Sequence, residues 1–327
     1  MFASHRLHLM GTVIDLTIDS DKPSEHIKHL VAKLHLYTNR FSANDSQSEL
    51  MAINHKAGLS PIYCHPQLVE LIAIGKQHSL AYPSQLNIAI GPLVQLWRIG
   101  FKEAQKPRPD EIKTQLLLTN PRDIQLDSQN KSVFLKHTGM KLDLGALAKG
   151  YIADQLVCYL KSKGVRSAML NLGGNILTYG APAQAQESHW SIGIQQPMQK
   201  RGLCLGYLHI KNRSVVTSGI YERYLKIGPK TYHHILDRHT GYPIKTSIVS
   251  LTIISKTSLD GEIWTSRLFG YELEVILSTV ESLEGIEAII ITQERAIYIT
   301  TGLSEHFSAL PFSGYQLIIN PFKHKMQ

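Results

Sequence analysis

The stretch KLDLGALAKGYIADQLVCYLKSKG, residues 141–164, joins a candidate binding site to an amphipathic helix. Its apolar residues recur every four positions, as on the buried face of a helix. These residues are Ala148, Ile152, Leu156 and Leu160. The helix is predicted to begin close to Gly145 and Ala146, and to end at Gly164, because glycine readily adopts the left-handed conformation that closes helices.

The start of this helix has two interpretations. The first free amide groups of a helix carry partial positive charge and bind phosphate, and small residues such as Gly145 and Ala146 let a ligand approach them. Lys149 lies one turn into the helix, and Asp143 precedes it. Asp143 is equally suited to cap a helix, so ordinary capping also explains this segment when it is taken alone.

Strand patterns surround this helix. GTVIDLTID (11–19) alternates apolar and polar residues, and AMLNLGGNILTYG (168–180) predicts strand, tight turn and strand around Gly173-Gly174. Further strand-like segments are SVVTSG, YHHILD, SIVSLTIIS, EAIIIT and AIYITT. Strands outnumber helices and many are adjacent, which predicts an α+β fold with mixed, largely antiparallel sheets and packed helices.

Composition excludes several classes of protein. The 327 residues are 43% hydrophobic and 18% charged, as in a globular protein, and we expect one domain (1–327) of one or two intimately packed lobes. The net charge is +8, but lysine and arginine are scattered, so no nucleic-acid partner is expected. The three cysteines match no zinc spacing. No apolar run approaches the roughly 18 residues of a membrane span, and no export signal is visible, which predicts a cytoplasmic protein.

Three other segments carry candidate functional residues. TYHHILDRHTGYP (231–243) contains His234, either a buried structural histidine or a catalytic one. SLDGEIWTSRLFG (258–270) brings Asp260 and Thr265 to the start of a helix, where capping is the ordinary explanation. NIAIGPLVQLW (87–97) contains Gly91-Pro92, a pair typical of turns.

Together and in order, these segments resemble the ApbE family, the FAD:protein FMN transferases. The resemblance covers most of the chain and rests on these residues: Met10-Gly11-Thr12, Phe41-Ser42, Ser48-Glu49-Leu50, Gly91-Pro92-Leu93, Trp97, Asp143-Leu144, Ala148-Lys149-Gly150, Asp154, Gly173-Gly174, Thr217-Ser218-Gly219, Tyr221, Tyr224, His234, Asp237, Thr240-Gly241, Pro243 and Asp260-Gly261. It implies a T-fold-like, two-lobed architecture. It also implies cleavage of FAD at its pyrophosphate, release of AMP, and attachment of FMN through a phosphoester to a threonine or serine of an acceptor protein.

The resemblance also implies roles for particular residues. His234 would be the base that activates the acceptor hydroxyl, and would also contact FAD. The FAD site would be lined by Met10, Leu86, Asn87, Ile88, Gly91, Asp143, Lys149, Gly173 and Gly174. Mg²⁺ would be bound by the Ala146 carbonyl, Asp260 and Thr265, with Asp260 essential to turnover. Mg²⁺ prefers oxygen ligands, and substrate phosphates often complete its coordination, which agrees with a set of only three protein ligands.

The chain departs from the family pattern at several positions. Asn44 stands where relatives often have an aromatic residue, and Asn87 lies near a position that is often acidic. Relatives commonly place a threonine four residues after the metal-binding aspartate, whereas Trp264 occupies that position after Asp260 and Thr265 follows. Residues five apart on a helix diverge by about 140°, so we expect Asp260 to precede the first turn, as Gly261 permits.

Two other functions fit the same residues. Water in place of the acceptor hydroxyl would make the chain an FAD pyrophosphatase that yields FMN and AMP. Loss of the metal site, suggested by Trp264, would leave a non-catalytic flavin-binding protein.

Overall fold

The computed structural model describes residues 1–182, 188–200, 202–311 and 313–322. The strands, in chain order, are β1 Phe2–Leu9, β2 Thr12–Asp19, β3 Ile62–Tyr63, β4 Ile124–Asp127, β5 Ser132–Leu135, β6 Ser167–Leu172, β7 Asn175–Tyr179, β8 Trp190–Gln195, β9 Cys204–Ile210, β10 Ser214–Gly219, β11 Tyr224–Ile227, β12 Lys230–His233, β13 Ile248–Ser255, β14 Glu287–Thr292, β15 Ala296–Ile299, β16 Phe307–Ala309 and β17 Gln316–Ile319. The helices are α1 Pro23–Phe41, α2 Glu49–His55, α3 Pro66–Leu80, α4 Gly91–Trp97, α5 Pro109–Leu116, α6 Ala148–Ser162, α7 Ser258–Leu268 and α8 Leu273–Glu281.

A nine-stranded sheet runs through the molecule in the order β1-β2-β6-β7-β10-β13-β14-β15-β17. Every pair of neighbours in it is antiparallel except β15 and β17, which are parallel. Three small sheets add β3-β5-β4, β8-β9-β16 and the β11–β12 hairpin. The predicted α+β fold with largely antiparallel sheets is confirmed. The large sheet takes strands from both ends of the chain. The division into domains or lobes stays a prediction.

Helices α1 and α6 pack on the β2–β6 side of the sheet, and α3 contributes apolar residues to the same core. Ile152, Leu156 and Leu160 of α6 are fully buried in this core, which confirms the predicted apolar face. Gly164 follows α6 with φ of +68°, as expected for a closing glycine. Helix α6 begins at Ala148, two residues later than Ala146, because residues 145–147 form a turn before it.

Helices α7 and α8 pack on β13 and β14 in a second core, and the β8-β9-β16 sheet encloses a third one with β14 and β15. The turn expected at Gly91-Pro92 is instead the first turn of α4, where proline lacks an amide hydrogen that the helix would leave unused anyway. The strand expected at YHHILD ends at His233. No helix in the described parts of the chain is long and apolar enough to span a bilayer.

Candidate active site

The site is built around the contact between α6 and α7. The Asp154 carboxylate of α6 accepts hydrogen bonds from the amides of Ser258 (2.7 Å) and Leu259 (2.8 Å), and so caps the start of α7. A Cβ placed on Gly150 would come within 2.8 Å of Glu262 Cγ, so only glycine allows this approach. Asp154 and Gly150 thus both pack on the first two turns of α7.

Asp154 is held in an unusual electrostatic environment. Burial raises the pKa of its carboxyl to about 6, and the nearby charge of Asp260 adds to the rise, whereas the two amide hydrogen bonds oppose it. The carboxyl therefore binds a proton more readily than an exposed aspartate does. Its place between the two helices makes it a structural support of the site.

An ion pair joins the start of α6 to α7. Lys149 Nζ lies 2.6 Å from Glu262 Oε1, and Asn175 Nδ2 donates to the same oxygen at 2.9 Å. The Glu262 side chain is 5% exposed, whereas that of Lys149 is 30% exposed. Lys149 therefore reaches from the rim of the site to a carboxylate inside it.

The turn before α6 carries Asp143 and Ala146. The amide of Asp143 donates to the Ile88 carbonyl (2.9 Å), and its carboxylate accepts from the Gly145 amide (2.8 Å). Burial raises the pKa of Asp143, while the Gly145 hydrogen bond and the Arg223 charge lower it. Asp143 thus caps the turn rather than the helix itself. Within the described residues, no backbone amide donates to the Ala146 carbonyl, which leaves that oxygen free to bind a ligand.

The segment Leu86, Asn87 and Ile88 is buried beside this turn. The Asn87 amide donates to the Thr119 carbonyl (2.8 Å), and its oxygen accepts from the Ala89 amide (2.9 Å). Arg238 Nη1 fixes the same segment from outside, at 3.0 Å from the Leu86 carbonyl and 2.6 Å from that of Ser79.

Gly91 follows this segment at the start of α4. A Cβ at Gly91 would lie 2.6 Å from the Lys141 carbonyl oxygen. The glycine is therefore needed to let α4 lie against the segment that leads into Asp143.

His234 follows β12 and faces the main chain of Arg223. Its Nδ1 lies 3.2 Å from the Arg223 carbonyl, which can only accept, so this nitrogen carries the hydrogen and Nε2 has the free lone pair. Burial lowers the pKa of His234 to about 4, and the charges of Arg223 and Lys149 contribute. His234 is therefore neutral at pH 7, with Nε2 free to accept a proton.

Two glycine-containing turns belong to the same region. Met10 and Gly11 join β1 to β2 with φ of 54° and 68°, and Gly11 faces the Arg223 guanidinium. Gly173 and Gly174 join β6 to β7 with φ of 69° and 93°, and Gly173 packs on the side chain of Thr12. The glycines meet the conformational demand of these turns, since other residues rarely adopt positive φ.

The structure separates the predicted metal ligands Asp260 and Thr265. Asp260 is the third residue of α7, so the expectation that it precedes the first turn is wrong. Its carboxylate accepts from the Thr257 hydroxyl at 2.6 Å, in a helix cap. Thr265 is fully buried and donates to the Glu262 carbonyl (3.2 Å). Asp260 and Thr265 therefore each have a local structural partner.

Sequence reasoning missed Arg223, for which no local pattern gives a signal, and also Glu262 and Ser266. Glu262 and Ser266 are a carboxylate and a hydroxyl four residues apart, and such residues share one face of a helix. This spacing is the signal that could have identified them. A Cβ at Gly150 would meet both Ser258 and Glu262, so the Glu262 end of this pair lies against the start of α6.

The candidate ligands in this region are all oxygen atoms. In the described parts of the chain, no group of three or more histidine, cysteine, aspartate or glutamate side chains forms a metal site. One carboxylate, one carbonyl and one hydroxyl are too few to enclose a metal ion by themselves. They suit Mg²⁺, which keeps several waters and commonly binds substrate phosphates.

Comparison with known proteins identifies the family of this chain. The sequence profile of the ApbE family matches residues 10–290. The chain belongs to the ApbE family. A Klebsiella pneumoniae relative named FAD:protein FMN transferase is 41% identical over 96% of each chain. One of the same name from Treponema pallidum is 30% identical over 92% of this chain and 88% of its own length.

Solved structures show the same fold. The ApbE protein of Thermotoga maritima superposes with a TM-score of 0.85 at 24% identity, over 94% of this chain and 99% of its own. The apo flavinyl transferase ApbE of Pseudomonas stutzeri has a TM-score of 0.80 at 24% identity, over 95% of this chain and 98% of its own. The predicted ApbE-like fold is thus confirmed.

Proposed function

We propose that this chain is an FAD:protein FMN transferase. The observation that carries the proposal is the 41% identity, over 96% of both chains, with a relative of that name. Its substrates are FAD and a protein that carries a threonine or serine, and its products are AMP and the FMN-modified protein. The cytoplasmic location and the absence of a nucleic-acid partner stay predictions from the sequence.

The reaction that we propose transfers the FMN phosphoryl group. The acceptor oxygen forms a bond to the phosphorus on the riboflavin side of the pyrophosphate, the bond from that phosphorus to the bridging oxygen breaks, and AMP leaves with the bridging oxygen. His234 Nε2 takes the proton of the attacking hydroxyl. Its free lone pair and its neutral state at pH 7 support this role.

FAD is proposed to lie across the turn before α6. Asp143 and the segment Leu86–Ile88 are joined by the 2.9 Å hydrogen bond between Asp143 and Ile88, so they lie side by side. Met10, Gly91, Gly173 and Gly174 complete this proposed surface, and the glycines leave room for the ligand. Lys149 contributes positive charge where the pyrophosphate would approach.

For the metal, we propose the Ala146 carbonyl, Glu262 and Ser266 as protein ligands, in place of a set with Asp260 and Thr265. The Ala146 oxygen is free of backbone partners within the described chain, and Glu262 faces the start of α6. Mg²⁺ bound there would spread the charge that develops on the pyrophosphate. The Thr257 hydroxyl already donates a hydrogen bond to one carboxylate oxygen of Asp260, which makes Asp260 a weaker candidate for a metal ligand.

Incubation with FAD and Mg²⁺ tests the proposal and separates its alternatives. Lysate proteins of the source organism, incubated with the purified chain, should show a covalently bound flavin by fluorescence in a denaturing gel, and mass spectrometry should locate it on threonine or serine. Release of AMP without any labelled protein would identify a pyrophosphatase. FAD binding without AMP release would identify a flavin-binding protein.

A further inference from the structure

The Lys149–Glu262 ion pair lies where the proposed metal ion must bind. Lys149 Nζ is 2.6 Å from Glu262 Oε1, and the Glu262 side chain is only 5% exposed. A buried carboxylate without a partner is strongly unfavourable, so in the absence of a metal ion the ammonium group compensates its charge. Asn175 adds a second hydrogen bond to the same oxygen, at 2.9 Å.

A metal ion and an ammonium group compete for this carboxylate. Two cations on one carboxylate repel each other, and the other proposed ligands, the Ala146 carbonyl and the Ser266 hydroxyl, bring no further negative charge. Metal binding to the free protein therefore requires Lys149 to withdraw or to share Glu262. The side chain of Lys149 is 30% exposed and flexible, so it can withdraw towards the open side of the site.

The pyrophosphate of FAD offers Lys149 another partner. Lys149 is the second residue of α6, and its positive charge contributes to the lowered pKa of His234. A diphosphate between Lys149 and His234 would attract the ammonium away from Glu262 and would itself supply oxygens to the metal ion.

We propose that Lys149 is a positioning residue that occupies the Glu262 carboxylate until FAD binds, so that FAD and the metal ion bind cooperatively. This proposal rests on the proposed function and on Glu262 as a metal ligand. Thermodynamic linkage requires the coupling to be reciprocal: FAD raises metal affinity by the same factor by which the metal ion raises FAD affinity. Couplings of this kind span about 5-fold to 150-fold.

Mn²⁺ binding, followed at pH 8 by the electron paramagnetic resonance signal of the free ion, tests the proposal without any turnover. The wild-type protein should bind Mn²⁺ weakly alone and about tenfold more tightly with FAD. Lys149→Met should bind Mn²⁺ about tenfold more tightly without FAD, and should lose most of the effect of FAD. Lys113→Met, at an exposed position of α5, is the matched control and should behave as wild type.

Two further variants keep the test decisive. Lys149→Gln keeps a hydrogen-bond donor and loses the charge, so it should show the Mn²⁺ binding expected of Lys149→Met and replaces it in the test if Lys149→Met folds poorly. Lys149→Arg keeps the charge and should resemble wild type. Unchanged or weaker Mn²⁺ binding by the folded neutral variants overturns the role of Lys149. Absence of Mn²⁺ binding in every form, with or without FAD, overturns the proposed metal site as well.

Discussion

His234 Nδ1 lies 3.2 Å from the carbonyl oxygen of Arg223, and the amide of His234 donates to the same oxygen. This double contact fixes both the ring orientation and the tautomer, because a carbonyl oxygen only accepts hydrogen bonds. The other ring nitrogen, Nε2, is thereby left as the proton acceptor. Arg223 acts here through its main chain, so its identity matters less for this contact than its position before β11.

Replacement of His234 should affect chemistry more than binding. His234→Ala should slow FMN transfer by about 10²-fold to 10⁴-fold, the usual contribution of a general base. FAD affinity, measured by quenching of flavin fluorescence, should change little, since the base acts mainly in the transition state. His239→Ala, at an exposed position of the same segment, is the control. Equal losses of rate and affinity for His234→Ala would show that His234 is structural.

The pH dependence of stability should report the burial of His234. Its pKa is about 4 in the folded protein, below its ordinary value of 6.5, so between these values the unfolded chain binds more protons than the folded one. The resulting stability is complete above pH 6.5 and is lost as the pH falls towards 4. Chemical denaturation should therefore show a steeper loss for wild type than for His234→Gln over this interval. Parallel curves would contradict the lowered pKa.

Paired substitutions in α7 should distinguish the two sets of metal ligands. Glu262→Gln should abolish Mg²⁺-dependent AMP release and Ser266→Ala should raise the Mg²⁺ concentration needed for half-maximal rate, because both remove proposed ligands. Asp260→Asn and Thr265→Val should keep most of the Mg²⁺ response. The reverse ranking would restore Asp260 and Thr265 as the ligands. Excess EDTA should stop turnover of the wild-type protein.

Gly150→Ala should destabilise the protein although alanine is the better helix former. Helix propensity alone would favour alanine by about 1 kcal/mol. The added Cβ would lie 2.6 Å from the Ser258 carbonyl and push α7 away, and such overpacking costs about 1–3 kcal/mol. Denaturant unfolding measures the net effect, with Ser162→Ala on the exposed end of α6 as control. A more stable Gly150→Ala would show that α6 and α7 separate easily.

Local patterns of sequence predicted much of the fold. The four-residue apolar repeat identified α6, and the Gly173-Gly174 pair identified the β6–β7 hairpin, because each pattern depends on neighbours in sequence. Gly91-Pro92 was misinterpreted because turns and helix starts favour the same residues. The order of the nine-stranded sheet depends on contacts between distant segments, such as β2 with β6, and no local pattern encodes it.

The candidate site shows the same limit. His234, Asp143 and Lys149 came from motifs, but the pairing of Lys149 with Glu262 joins residues 113 positions apart. The choice between Asp260 and Glu262 depended on which face of α7 meets α6. Residues two apart on a helix point about 160° apart, so a shift of two positions turns a side chain to nearly the opposite face.

The ratio of AMP released to FMN attached tests the central claim most directly. The purified chain, FAD, Mg²⁺ and an acceptor protein identified by its flavin label should be followed in one reaction, with AMP measured by chromatography and the modified acceptor by intact-protein mass spectrometry. A transferase should release one AMP for each FMN attached, and no free FMN should accumulate. AMP and free FMN in equal amounts, with the acceptor unmodified, would contradict the account.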